Sequence, residues 1–279
     1  MRATSAVVLF LAVLCSAGCG HNGGGTTGPT SPAALTPPVV LAPLPEVPMH
    51  GYFMYRQHVD LATVAGWTNW ALLYTTSEAE SREVAAEARS LRIRITWTPF
   101  RGETTSKQWD ATWESNKALI RPFAEAGVLH SVYVADEPMA SGKVGYEELA
   151  RRIALVHAEG WKAMIVEQLG GVGCPHPPID FYGLDAYLPT PRHAVRHALA
   201  MHPEVTFYCA HSFRAADSSN PVYPATFPSQ QGEADIAREA RVQLVWWLWP
   251  SPPGYVGAGD DPDVQAEHRQ IAASLGVAR

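Results

Sequence analysis

Residues 129–142 read LHSVYVADEPMASG. A run of strand texture, rich in β-branched and aromatic side chains, leads straight into two adjacent carboxylates, Asp136 and Glu137, and then into Pro138. Such side chains favour a pleated, buried strand. Proline has no N–H to offer a ladder, so the strand must end where the carboxylates stand. The fold turns on whether the rest of the chain repeats this pattern of an apolar strand that closes on polar residues and gives way to a helix.

Runs of the same texture occur at GYFMYR (51–56), TNWALLY (68–74), LRIRITWTPF (91–100), LHSVYVA (129–135), KAMIVEQ (162–168), IDFYGLDAYL (179–188), VTFYCAHSF (205–213) and VQLVWWLWP (242–250). Helical texture fills 77–90, 106–127, 146–160, 191–202, 231–241 and 261–276, while the link 57–67 has room for a brief helix only. Ser77 and Asp261 read as N-caps, and Gly127, Gly160 and Gly276 as C-terminal stops. Strands that alternate with helices run parallel, because parallel neighbours need a crossover. Eight such units in about 230 residues predict the α/β class and a single-domain (β/α)8 TIM barrel over residues 49–279. The alternative, an open doubly wound sheet, normally carries a glycine-rich turn after its first strand, which GYFMYRQHVD lacks.

The bulk numbers agree with one large core: 279 residues, 47% hydrophobic and 17% charged. A net charge of −6 without a basic cluster argues against a nucleic-acid partner and against attraction to an anionic membrane surface. Nine tryptophans and ten tyrosines supply faces for stacking on ring-shaped ligands, as well as core volume. A monomer is expected.

Residues 1–18 have a basic residue, a short apolar run and small residues before Cys19, the layout of an export signal. Ser16-Ala17-Gly18-Cys19 resembles a bacterial lipoprotein signal. That resemblance implies lipidation of Cys19 and an exported cell-envelope protein, periplasmic or on the outer surface, that meets the membrane only through its anchor. Ser16 stands where that pattern usually has Leu, so ordinary cleavage and secretion is the alternative. Residues 19–48, rich in Gly, Thr and Pro, read as a flexible tether that stiffens where prolines accumulate. In an oxidising compartment Cys174 and Cys209 either pair or remain two buried thiols.

A barrel of this kind carries its active site at the C-terminal strand ends. There the chain places Arg56, Tyr74, Trp97, Asp136 and Glu137, Glu167 and Gln168, Asp185 and Tyr187, His211, and Trp247 and Trp249. Strict alternation puts Val132, Val134 and Asp136 on one face and Ser131, Tyr133, Ala135 and Glu137 on the other. Branched valines suit the helix layer, so Glu137 is expected inward and Asp136 at the rim, with Asp185 and Glu167 converging on the same mouth.

An acidic residue, Glu and Pro at the end of strand four resembles the acid/base motif of barrel glycoside hydrolases, which more often reads Asn-Glu-Pro. Tryptophan at the end of strand eight resembles their sugar-stacking residue. The resemblance implies Glu137 as general acid, a carbohydrate substrate, no cofactor and no metal. It also implies substrate contacts from Asp136, Arg56, Tyr74, Trp97, Tyr187, His211, Trp247 and Trp249. The retaining members place a nucleophilic Glu at the end of strand seven, where this chain has His211.

The partner of Glu137 stays open. Asp185, two strands away at about 4.8 Å per strand, suits the wide spacing of an inverting pair, whereas Glu167 on the adjacent strand suits a nucleophile. The adjacent Asp-Glu pair also resembles family 20 hexosaminidases, whose substrate supplies its own acetamido nucleophile, although their longer motif is missing here. Burial in an aromatic cleft beside a second carboxylate is expected to raise the pKa of the acid, which keeps its proton available.

Simpler readings stand beside these. Asp-Glu-Pro also fits a helix start, and a barrel that keeps an aromatic cleft without a strand-seven carboxylate also fits a non-catalytic carbohydrate-binding protein. His193 and His197 have i, i+4 spacing but no glutamate follows His193, so a solvated helix face is expected rather than a metal site. There is no nucleophilic-serine elbow and no phosphate-binding loop.

Overall fold

The computed structural model describes residues 41–44, 48–54, 61–99, 105–142, 144–186, 190–216, 229–247 and 255–277. Within the compact unit Pro38–Arg279, the strands β1 (His50–Phe53), β2 (Trp70–Leu73), β3 (Arg94–Trp97), β4 (Leu129–Asp136), β5 (Ala163–Gln168), β6 (Phe181–Asp185) and β7 (Phe207–His211) follow one another around a sheet. After the short strand β8 (Phe213–Ala215) comes β9 (Gln243–Trp247), which closes the barrel by pairing with both β7 and β1. All eight barrel pairings are parallel. The expected (β/α)8 barrel is the fold. The stretch expected as one seventh strand divides at Ser212 into β7 and β8, and β8 forms an antiparallel ribbon with β10 (Tyr255–Gly257).

The helices are α1 (Glu78–Ser90), α2 (Ser106–Glu125), α3 (Pro138–Ser141), α4 (Tyr146–Ala158), α5 (Arg192–Met201), α6 (Gln230–Ala240) and α7 (Pro262–Ser274). Ser77 accepts from the Glu80 N–H, and Asp261 from the N–H groups of Asp263 and Val264, so both caps act as their positions suggested. Among the described residues the link before β2 holds a 3-10 turn, Leu61–Thr63, and the link from β5 to β6 contains no helix. No helix among the described residues is long and apolar enough to cross a membrane.

Two apolar layers result. Inside the barrel pack Met49, Phe53, Trp70, Leu72, Tyr133, Met164, Val166, Phe207, Cys209 and Val245, with Phe181 and Trp247 against them. Two strand glycines make room for this filling. A Cβ on Gly183 would lie 2.2 Å from Phe207 Cζ, and one on Gly51 would lie 1.7 Å from the Trp70 carbonyl oxygen. Alternate residues such as Tyr52, Ile95, Trp97, Val132, Val134, Ile165, Leu184, Tyr208 and Trp246 face the helices in a larger outer core.

Beneath the barrel, at the N-terminal strand ends, Leu41 N–H donates to Glu125 O (2.9 Å) and Leu44 N–H to Gly127 O (3.0 Å). The chain thus enters the barrel on the face opposite the C-terminal strand ends. The export signal, Cys19 and the tether up to residue 40 lie outside the described residues.

Candidate active site

The register of β4 decides how its carboxylates lie. Against β5, Tyr133 pairs with Met164 but Ala135 pairs with Ile165, so Val134 is an extra residue, a bulge. Tyr133 is inside, Val134 and Ala135 both face the helices, and Asp136 returns to the inner face. The expected alternation is corrected accordingly: Asp136 faces inward, where its Oδ1 accepts from the Tyr133 hydroxyl. Glu137 leaves the ladder after donating its N–H to Val166 O (2.9 Å), in a left-handed conformation with φ 46° and ψ 50°. That conformation is costly for a residue with a side chain and is found where surrounding structure enforces it. It swings the Glu137 carboxylate onto Gln168, whose Nε2 donates to Glu137 Oε2. Glu137 Oε1 is buried and has no hydrogen-bond partner among the described residues.

Gln168 is on the inner face of β5 with Met164 and Val166, while Glu167 shares the outer face with Ala163 and Ile165. Glu167 is fully buried, and it accepts from the N–H groups of Met139 (2.7 Å), Ala140 (3.0 Å) and Gln168 (3.1 Å). Burial pushes its pKa up, the three backbone donors pull it down, and the charge of Glu137 adds to the rise; the net direction is upward. Gly171 lets the carboxylate in, since a Cβ there would lie 2.3 Å from Glu167 Oε1. The structure therefore does not bring Glu167 into the mouth as a partner carboxylate. It ties down the turn that carries Glu137.

On β6, Phe181, Gly183 and Asp185 face inward, and Asp185 is level with Gln168. On β7 the inner residues are Phe207, Cys209 and His211, and His211 Nε2 lies 3.3 Å from Asp185 Oδ1 with both side chains only 2% exposed. The Cys209 thiol below them is pushed well up in pKa by burial and then by the charges of Asp185, Asp136 and Glu137. Asp136 and Glu137 close β4 and Asp185 closes β6, on either side of β5, whose Gln168 is level with Asp185 and holds Glu137. Cys174 and Cys209 are both free thiols, so the pairing left open by the sequence is not formed.

Trp247, half-buried, is on the inner face of β9 and packs on Phe53 with ring centroids 5.2 Å apart. Tyr74 follows Leu72 just beyond β2, on the inner parity and half-buried. Trp97 does not line the mouth: Thr96 takes the inner position on β3, and Trp97 is buried among the helices with its Nε1 donating to Thr75 Oγ1 (3.2 Å). Arg56, Tyr187 and Trp249 lie outside the described residues. The sequence reading passed over Tyr133 and Phe53, and it named Gln168 at a strand end without a role. His193 and His197 are both exposed on α5.

No family model matches the chain, and no curated protein matches it in sequence. Solved structures do. A GH113 beta-mannanase from Alicyclobacillus acidocaldarius is 15% identical at a TM-score of 0.51, over 81% of this chain and 96% of that one. A beta-mannanase from Streptomyces thermolilacinus, solved with mannohexaose, is 12% identical at 0.51, over 77% and 85%. A D-psicose 3-epimerase is 11% identical at 0.50, over 82% and 98%. At such identities the likeness is one of fold: this chain is an eight-stranded parallel barrel of the kind these proteins share.

Proposed function

We propose that the protein is a glycoside hydrolase-like barrel that cleaves glycosidic bonds, with Glu137 as general acid and Asp185 as its partner carboxylate. The observation that carries this reading is Glu137 itself. It is held in a left-handed conformation at the C-terminal barrel end, and one carboxylate oxygen is buried there without a donor among the described residues. An unpartnered buried acceptor is costly, and a proton shared with a leaving-group oxygen would satisfy it. Asp136 and Asp185 supply negative charge to a developing positive sugar, and the half-buried Trp247, backed by Phe53, supplies an aromatic face. The mannanases of similar fold support a carbohydrate substrate, while the epimerase on the same fold is a reminder that the barrel alone does not decide the chemistry.

A second reading, a non-catalytic carbohydrate-binding barrel, is favoured by one feature, the histidine at the end of β7. Reducing ends released by the purified protein from mannohexaose and a panel of β-1,4-linked polysaccharides separate the two readings. Under the first, Glu137→Gln lowers release by about 10²–10⁴-fold and leaves binding in place. Binding with no release by wild type refutes it.

We also propose that Cys19 is lipidated and anchors the barrel through the tether. Globomycin-sensitive processing, abolished in Cys19→Ala, checks the anchor.

A further inference from the structure

We propose that Asp185 is the base that deprotonates the hydrolytic water and that His211 is its positioning residue. This rests on the hydrolase reading above. An ionised carboxylate only accepts hydrogen bonds, so the His211 nitrogen facing Asp185 carries the proton: Nε2–H donates to Oδ1 across 3.3 Å. The backbone of His211 is fixed as well. Its carbonyl accepts from Gln230 Nε2 (3.3 Å), Gln230 Oε1 accepts from His268 Nε2 (2.8 Å), and His268 Nδ1 accepts from the Tyr52 hydroxyl (2.6 Å). Phe213 lies against the His211 ring at a centroid distance of 5.0 Å. This buried chain fixes the His211 backbone, the support an orienting residue needs.

The strand register sets the chemistry. Asp185 is level with Gln168, and Gln168 holds Glu137, so acid and base stand on either side of β5. Strands two apart are separated by roughly 9–10 Å, less where side chains lean toward the axis, which leaves room for a water and matches an inverting pair rather than a nucleophile about 5 Å away.

In the step, the water oxygen attacks the anomeric carbon as one of its protons passes to Asp185 Oδ2. The glycosidic C–O bond breaks, and the leaving oxygen takes the electron pair and the proton of Glu137. The hemiacetal forms with inverted configuration. Exchange with solvent returns a proton to Glu137 and removes one from Asp185.

The test uses the panel substrate that the wild type cleaves. Proton NMR at early times reads the first anomer formed, and His211→Phe is compared with His211→Gln, which keeps an N–H donor. The expected results are an inverted first product, a kcat about 100-fold lower in His211→Phe with KM within about threefold, and an acidic limb of the pH profile displaced upward. His211→Gln recovers at least about tenfold of that loss. A retained first product overturns the proposal whatever the variants do, so it stays falsifiable if His211→Phe does not fold. So does a His211→Phe protein with lower thermal stability but unchanged kcat and pH profile. Failure of the wild type to cleave any substrate instead overturns the hydrolase reading, and this proposal with it.

Discussion

Acid should unfold this protein earlier than its carboxylates alone would require, because three histidines are buried neutral. His50 accepts from Trp246 Nε1 (3.0 Å) at Nε2 and donates from Nδ1 to Trp67 O (2.9 Å), and burial lowers its pKa to about 4. Burial, then the charges of Arg94 and Lys162, lower His130 to about 3. His268, stacked on Trp246 at 4.0 Å, is lowered well below the ordinary range by burial and then by His50. In the unfolded chain each titrates near 6.5, so as the pH falls below about 6.5 the unfolded state takes up protons that the folded state refuses. Stability is therefore full above that pH and falls from about 6.5 down to about 4 for His50 and about 3 for His130, levelling off for each group once its folded pKa is passed. At about pH 5.0 the unfolded chain is some 1.5 units below the histidine pKa, which at ~1.4 kcal/mol per unit costs ~2 kcal/mol each for His50 and His130. Those two alone remove ~4 kcal/mol between about pH 7.5 and 5.0, a large share of the ~5–15 kcal/mol typical of a domain, and His268 acts in the same direction.

Urea unfolding at the two pH values, followed by tryptophan fluorescence, measures the loss directly. His50→Gln, which offers a neutral donor and acceptor in place of the ring, should start less stable but lose ~2 kcal/mol less over the same interval. Unfolding free energies that agree within about 1 kcal/mol at the two pH values would refute the argument, since they would require these buried rings to carry charge in the fold.

Other consequences can be tested on single variants. Glu167→Gln turns an –NH₂ toward backbone donors that now face carboxylate oxygens, and should cost ~1–3 kcal/mol by urea midpoint while lowering any turnover through the displaced Glu137. Gly183→Ala forces a Cβ into the Phe207 ring and should cost at least ~1–3 kcal/mol, with thermal melting as the check. Glu137→Gly relieves the left-handed backbone at that position. It should therefore hold or raise the melting temperature while abolishing sugar release, an inverse relation that a purely structural glutamate would not show.

The barrel was legible because its evidence is local and repeated: eight apolar runs, helical stretches between them, and caps at Ser77 and Asp261. Which face of each strand looks inward was less legible. On β3 the polar Thr96 marks the inner position, so Trp97, one residue on, belongs to the outer core; a strand-end aromatic is no guide without that parity. On β5 the segment AMIVEQ is apolar on both faces, so its alternation groups Glu167 with Ala163 and Ile165 without saying which group faces the helices. The β4 bulge is harder still. Nothing in SVYVAD separates Val134 from its neighbours, and the extra residue appears only when β4 is paired against β5, yet it exchanges the expected orientations of Asp136 and its strand.

The histidine at the end of β7 gains its meaning from that same parity. Read as a missing nucleophile, His211 counts against catalysis; read by its contacts, it is an N–H directed at the one inward carboxylate that stands across Gln168 from Glu137. A carboxylate at its position would face Asp185 at hydrogen-bond range, and two ionised groups there would repel. Histidine at β7 and aspartate at β6 are thus a compatible pair. The substitution His211→Glu should therefore not create the usual nucleophile; it should cost stability near neutral pH and regain it as the pH falls and the two carboxyls share a proton. A stability gap between wild type and His211→Glu that does not narrow as the pH falls would show that Asp185 is not the group facing position 211.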